Sequence, residues 1–514
     1  MFRITDLLAR AARTWPDAPA ISCAAGTQSW SALDARARRL AAALLARGAK
    51  RGDRIAWLGF NGRMGMETLF AAPLLGAAAA PLNFRLSAAE MIETLNDHRP
   101  CAIVVDAAHA DTLAAVLPHC PSIHAVLVEG PAREGMEAYE DALTAADPGT
   151  LTGDMAGGGE DMLVMFYTGG TTGAPKGVML SHTNIFANQM GILANWDMRP
   201  NEAYSITGPM FHSAAGARVY GAAMMGTHLA LAPRFDIGDL LGRIETHRVA
   251  IAQFVPTMLA MMLDHPEFDR HDLSSLRLIT YGAAPMPPDL LSRAMEAFPG
   301  VRFAQAFGMT EASPIVTFLN PEDHEDPDSP LLRSIGRTAP FVDLKIVDED
   351  RRDLPVGEVG ELAVRGANIM LGYWERPEAT AAALVDGWYY TGDAGYVDAD
   401  GYVFLSGRIK DMIITGGENV YPIEVETVLA HHPDVRAAAV IGSPDPKWGE
   451  RVHAVVQLVE GAEEDPAALI AFCRERLAHY KAPSLVSFTA EPLPLTKVNK
   501  VDKQALRARY GGGA

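Results

Sequence analysis

The residues best suited to chemistry lie in one short stretch, Tyr167-Thr168-Gly169-Gly170-Thr171-Thr172-Gly173-Ala174-Pro175-Lys176-Gly177-Val178. Gly169, Gly170 and Gly173 lack the Cβ atoms that would keep backbone N–H groups from converging on an anion. Thr168, Thr171 and Thr172 add hydroxyl donors, and Lys176 adds a mobile positive charge. The preceding apolar run, Met162 to Phe166, has the length and bounded form of a buried strand that would hold such a loop. The composition is that of a phosphate cradle. It is not the Walker pattern, because Ala174 and Pro175 separate Gly173 from Lys176.

This stretch resembles the phosphate loop of the adenylate-forming superfamily, which includes acyl-CoA synthetases, peptide-synthetase adenylation domains and luciferases. The family usually carries serine where this chain has Gly170, so weaker or altered phosphate contacts are expected with the chemistry unchanged. A second cluster, Gln305-Ala306-Phe307-Gly308-Met309-Thr310-Glu311, resembles the family's aromatic-Gly-x-Thr-Glu motif. The resemblance implies that Phe307 stacks on adenine beside Gly308 and Met309, that Thr310 contacts phosphate, and that Glu311 holds Mg²⁺. A carboxylate is the hard oxygen ligand that Mg²⁺ prefers beside phosphates. Phe307 replaces the usual tyrosine, which keeps the stacking face and loses a hydroxyl.

Further resemblances follow in the family's order. In Tyr390-Thr391-Gly392-Asp393 the family's aspartate accepts both ribose hydroxyls, for which the two oxygens of Asp393 are suited. Arg408 matches an arginine that reaches ribose or phosphate, and Lys410 falls at the family's interdomain hinge. Thr415 to Pro422 looks like the CoA-facing loop, with Gly416, Gly417 and Glu418 beside the pantetheine arm; a plain β-turn at Gly-Gly is the alternative. Pro494 to Val501 resembles the catalytic-lysine loop. Alignment by the following hydrophobic residue gives Lys500 the catalytic role, with Asn499 replacing a common glycine and Lys497 and Lys503 as neighbouring alternatives. The implied task of Lys500 is to neutralise carboxylate and α-phosphate oxygens as charge moves between them. His212 stands where the family lines the passage between acyl and thiol sites, though a core histidine satisfied by backbone fits the same position. Tyr281 to Met286, containing Gly282, Ala283, Ala284 and Pro285, resembles the wall of the acyl pocket.

The elements that must position these residues read as α/β. Helical patterns at Ser31–Arg47, Met66–Leu75 and Ile237–His247 alternate with short apolar runs such as Arg54–Phe60, Ala102–Asp106, Ala125–Glu129, Val249–Val255 and Leu276–Tyr281. Such alternation implies parallel sheets covered by helices on both faces. Thr183 to Leu193 reads as a helix just beyond the Gly-rich loop, where its dipole could point at phosphate. After Arg408 the organisation changes to a small α+β pattern. The resemblance thus implies a large N-terminal AMP- and acyl-binding domain over 1–409 and a mobile C-terminal domain over 410–514 carrying the catalytic lysine.

Length and composition fit this division. A chain of 514 residues exceeds one compact core. A net charge of −19 argues against a general nucleic-acid binder. Four scattered cysteines form no CxxC pair, which suits a reducing compartment, and no apolar run is long enough to span a bilayer. A cytoplasmic enzyme is expected. The implied reaction consumes ATP, CoA and a monocarboxylic acid, with medium- or long-chain fatty acids favoured and aryl acids next. No positive residue stands out in His212–Ala217 or Gly282–Pro285, which disfavours dicarboxylates such as malonate. An adenylation enzyme serving a carrier protein, a luciferase-like oxygenase and a non-catalytic nucleotide-binding protein are the competing readings. The oligomeric state is open, with a homodimer plausible.

Overall fold

A computed structural model describes residues 2–168, 175–496 and 501–511. These fall into two compact units, one built from residues 2–168, 175–343 and 365–387, the other from residues 344–364, 388–496 and 501–511.

The first unit holds two mixed sheets. In one, the parallel strands Ala203–Ile206, Val249–Phe254, Leu278–Gly282 and Arg302–Gly308 run side by side, and Ile315–Leu319 then Arg337–Thr338 extend one end antiparallel. Every residue of Ala203–Ile206 and Leu278–Gly282 is buried, which is why these runs are continuously apolar or small where amphipathic strands would alternate. Ile237–His247 packs Leu240, Leu241 and Ile244 against Phe254, Ile279 and Tyr281. Asp236 caps that helix by accepting from the N–H of Asp239. The other sheet places Arg54–Leu58 between Ala78–Pro81 and Ala102–Val105, all parallel, and reaches Met162–Thr168 beyond Ala78–Pro81.

The strand that leads into the Gly-rich loop turns back as a hairpin. Met162–Thr168 pairs antiparallel with Lys176–Ser181, Thr168 opposite Lys176 and Met162 opposite Ser181. The helix expected over Thr183–Leu193 is present as His182–Trp196, capped by Ser181. Its N-terminus therefore lies at the far end of the hairpin, about 20 Å of strand from the loop. The helix dipole does not serve the phosphate site, and any help there comes from the loop and Lys176.

The second unit contains most of the strands Val342–Val347 and Gly360–Gly366 together with Trp388–Val397 and Val403–Arg408 in one sheet, the last three antiparallel to their neighbours. A second sheet pairs Val435–Asp445 with Gly449–Leu458 and adds Leu485–Phe488 in parallel. Val425 and Leu429 of the helix Pro422–Ala430 cover it together with Leu469 and Cys473.

Two first-unit histidines are folded in the neutral form. His98 lies fully buried with Nδ1–H on the Thr94 carbonyl, and His182 accepts from the Ile4 N–H at 3.1 Å through Nδ1. Burial pushes both imidazoles down to about 4. The unfolded chain, with ordinary imidazoles near ~6.5, then binds more protons than the folded one between ~6.5 and ~4. Stability should fall as pH drops through that window, by on the order of one to a few kcal/mol per histidine. Urea midpoints measured at intervals across the window check this, and His98→Gln should flatten part of the slope.

Candidate active site

The candidate residues of the first unit leave the sheet at the carboxyl ends of its parallel strands, the usual crevice position in α/β folds. Gly282 pairs with Ala306 in register, so the acyl-wall segment and the Phe307-Gly308 motif emerge side by side. The fit is backbone on backbone. A Cβ at Gly282 would stand 2.2 Å from the Ala306 carbonyl oxygen, and one at Gly308 would stand 1.8 Å from that of Pro314. Ala283 turns the chain out of the strand with φ +65°, a left-handed conformation unusual for a residue with a side chain. Ala283, Ala284 and Pro285 are exposed, while Phe307, Met309 and Thr310 are half-buried.

Thr310 and the His212 segment meet. The Thr310 hydroxyl lies 3.0 Å from that of Ser213, the first residue of the short helix Ser213–Gly216. Half-buried His212 starts this turn through its carbonyl, which accepts from the N–H groups of Ala215 and Gly216, and its ring sits 4.5 Å from that of Phe211.

Glu311 and Lys176 meet through a residue outside the sequence motifs. The Tyr373 hydroxyl donates to Glu311 Oε1 at 2.9 Å, and the Lys176 ammonium stands 4.8 Å from the centre of the Tyr373 ring. The amides of Asn188 and Asn368 both donate to the carbonyls of Ala312 and Ile315, which pins the turn after Glu311. At the loop's entry, Asp97 accepts from the Tyr167 hydroxyl at 2.6 Å and from Arg376 at 2.7 Å. Thr168 reaches the Lys176 carbonyl only at 3.5 Å. Gly169, Gly170, Thr171, Thr172 and Gly173 lie outside the described residues.

Glu311 is nearly buried, and among the described residues no group of three or more His, Cys, Asp or Glu gathers to form a metal cage. A single anchored carboxylate fits Mg²⁺, which binds one or two carboxylates together with substrate phosphates, and does not fit a structural zinc site.

The second unit carries the remaining candidates. Asp393 lies within the strand Trp388–Val397, not in a turn, directly across from Arg408. Arg408 Nε donates to Asp393 Oδ1 at 2.6 Å; the aspartate side chain is 7% exposed and the arginine's 45%. Arg408 thus holds the carboxylate, and Gly392 (φ +70°) donates its N–H to Glu361 next to it. Lys410 sits in the turn Ile409–Asp411, and burial of part of its side chain pulls the ammonium below its usual range. Gly416 and Gly417 form the two-residue tip of a hairpin between Ile413–Thr415 and Glu418–Val420, with φ +61° and +87°. The backbone there is a β-turn of the primed form that demands positive φ at both positions, a geometry compatible with either reading of the loop. Glu418 is exposed beside it. Lys503, one alternative for the catalytic lysine, pairs with Glu426 at 2.7 Å. Lys497, Asn499 and Lys500 lie outside the described residues.

Two residues escaped the motif reading. Tyr373 carries no motif signal of its own. Arg218 follows the His212–Ala217 segment by a single residue, and its charge was the available signal; it is buried at 4% exposure.

Comparison with known proteins identifies the family. The sequence model described as AMP-binding enzyme matches residues 8–374, and that of the AMP-binding enzyme C-terminal domain matches residues 424–500. A feruloyl-CoA synthase of Amycolatopsis sp is 40% identical over 503 residues, covering 98% of this chain and 98% of the relative. An indoleacetate–CoA ligase of Aromatoleum aromaticum is 36% identical over 480 residues, 93% of this chain and 92% of the relative. Among solved structures, the amide bond synthetase McbA from Marinactinospora thermotolerans superposes with a TM-score of 0.88 at 32% identity, covering 99% of this chain and 100% of that one. With matches across both domains and at this identity, the chain belongs to the AMP-binding enzymes, as an adenylate-forming ligase of the acyl-CoA synthetase type.

Proposed function

We propose that the protein is an ATP-dependent, AMP-forming carboxylate–CoA ligase whose acid has an aromatic or comparably bulky apolar body. In the first half-reaction a carboxylate oxygen attacks the α-phosphorus of ATP and the α–β bridging P–O bond breaks, giving acyl-adenylate and pyrophosphate. In the second, the CoA thiol attacks the acyl carbon and AMP leaves with the bonding electrons, the thiol proton passing to solvent. The observation that carries this reading is the linkage of Lys176, Tyr373 and Glu311 beside the Thr310–Ser213 contact. It supplies a cation, a carboxylate and hydroxyls where phosphates and acid would meet.

In this reading Phe307, Gly308 and Met309 accept the adenine, Asp393 and Arg408 the ribose, and Gly169 to Gly173 the phosphates with Thr168 and Lys176. Glu311 would hold Mg²⁺, which when bound neutralises charge on the phosphate oxygens. His212 and the Gly282–Pro285 wall border the acid, and Gly416, Gly417 and Glu418 border CoA. The preference for an aromatic acid over the fatty acids favoured by sequence rests on the named substrates of the feruloyl- and indoleacetate-type relatives. Likeness to an amide bond synthetase favours one second reading, in which an amine replaces the thiol as acceptor.

Incubation with Mg·ATP, CoA and arylpropenoic or arylacetic acids, followed by mass spectrometry, tests the proposal. Acyl-CoA and AMP formed in equal amounts support it; adenylate that goes on to amide with added amines but never to thioester supports the second reading. Lys410 is the proposed hinge between the half-reactions. Lys410→Pro, which fixes φ there, should leave adenylate formation within about twofold while slowing thioester formation at least tenfold, as single-turnover assays of each half would show.

A further inference from the structure

Arg218 is the first residue of the helix Arg218–Met225, immediately after the His212–Ala217 segment. It is buried, yet its Nε and Nη1 find no hydrogen-bond partner. One face of the guanidinium stacks on Trp196, 4.6 Å from the ring centre. Its neighbour Tyr204 lies on the sheet and donates to Gln253 at 3.0 Å. Gln253 is in register with Thr280, two residues before Gly282. The arginine therefore lies about one helical turn beyond the Ser213 turn, with Tyr204 linking it to the sheet at the level of Thr280, two residues short of the Gly282 wall.

Among the described residues no carboxylate pairs with this cation. Guanidinium remains protonated when buried, and a buried charge without a partner is strongly unfavourable. Stacking on Trp196 satisfies a face of the group and leaves the in-plane donors of Nε and Nη1 unmatched. An aliphatic acid ending in a methyl group would leave them unmatched still. An acid with an acceptor oxygen at that end would not.

We propose that Arg218 is a specificity-determining residue that selects acids bearing a hydrogen-bond-accepting oxygen at the end remote from the reacting carboxylate. This rests on the ligase reading and narrows its substrate class. His212–Ala217 and Gly282–Pro285 carry no positive residue, as the sequence shows; the cation lies one position beyond, at Arg218.

The test is kcat/KM for acid-dependent pyrophosphate exchange with shape-matched pairs. 4-Hydroxycinnamate is compared with 4-methylcinnamate, and an aliphatic dicarboxylate with the monocarboxylate of equal chain length. The first pair presents a neutral oxygen, the second an anionic one. The expected result is at least about a tenfold advantage for the oxygen-bearing member of one pair or both, collapsing to less than twofold in Arg218→Met, which keeps the stem and volume. Arg218→Lys should retain part of it. Equal or better use of the methyl-ended acids by the wild-type protein in both pairs overturns the proposal without any variant. So does an advantage that survives in Arg218→Met. Absence of exchange with every acid would instead defeat the ligase reading on which it rests.

Discussion

Lys500→Ala should reduce acyl-adenylate formation by ~10²–10³-fold while largely sparing thioester formation from supplied acyl-adenylate. The charge that builds as carboxylate oxygen bonds to the α-phosphorus needs a nearby cation, and the family resemblance of Pro494–Val501 assigns that task to Lys500. Lys503, one neighbouring alternative, is engaged in an ion pair with Glu426. The asymmetry between halves is the informative part, since a lysine needed only for folding would lower both equally. Separate assay of exchange and of thioester release from synthetic adenylate distinguishes the two, and Lys497→Ala should leave exchange within about threefold.

Glu311→Gln should lower exchange by ~10²-fold or more and raise the Mg²⁺ concentration needed for half-maximal rate, because an amide oxygen is a far weaker ligand for a hard cation. The shape of the site predicts a graded companion effect. Tyr373→Phe removes the hydroxyl that fixes Glu311 Oε1 but keeps the ring beneath Lys176, so about a tenfold loss with the same shift in Mg²⁺ dependence is expected. An unshifted Mg²⁺ titration in both variants would remove Glu311 from the metal-binding role.

How far the sequence led depended on the kind of information each residue carried. Buried strands such as Ala102–Val105 and Leu278–Gly282 were readable because continuous burial forces continuous apolarity. The helix Ile237–His247 was readable because its apolar stripe and Asp236 cap coincide. The strand Lys176–Ser181 was not, so the helix after it, although placed at the right residues, was taken to start close to the loop. The cost was a misplaced helix dipole. Motif residues were legible one by one, yet the opposition of Asp393 and Arg408 arises from antiparallel register, which neither motif encodes. Tyr373 and Arg218 were missed for the same reason: one acts through contacts with Glu311 and Lys176, the other through the absence of a partner, and both are properties of three-dimensional packing.

The central claim is that this chain activates a carboxylic acid as its adenylate, and ATP–pyrophosphate exchange by the purified wild-type protein tests it most directly. The panel would span short to long fatty acids, hydroxylated and methylated cinnamates, arylacetic acids, dicarboxylates and amino acids, each assayed with and without Mg²⁺. Exchange is expected to require both an acid and Mg²⁺ and to be strongest among aromatic acids carrying a remote oxygen. ATP bound in the expected site with no exchange for any acid would contradict it and return the protein to the class of nucleotide binders without ligase chemistry.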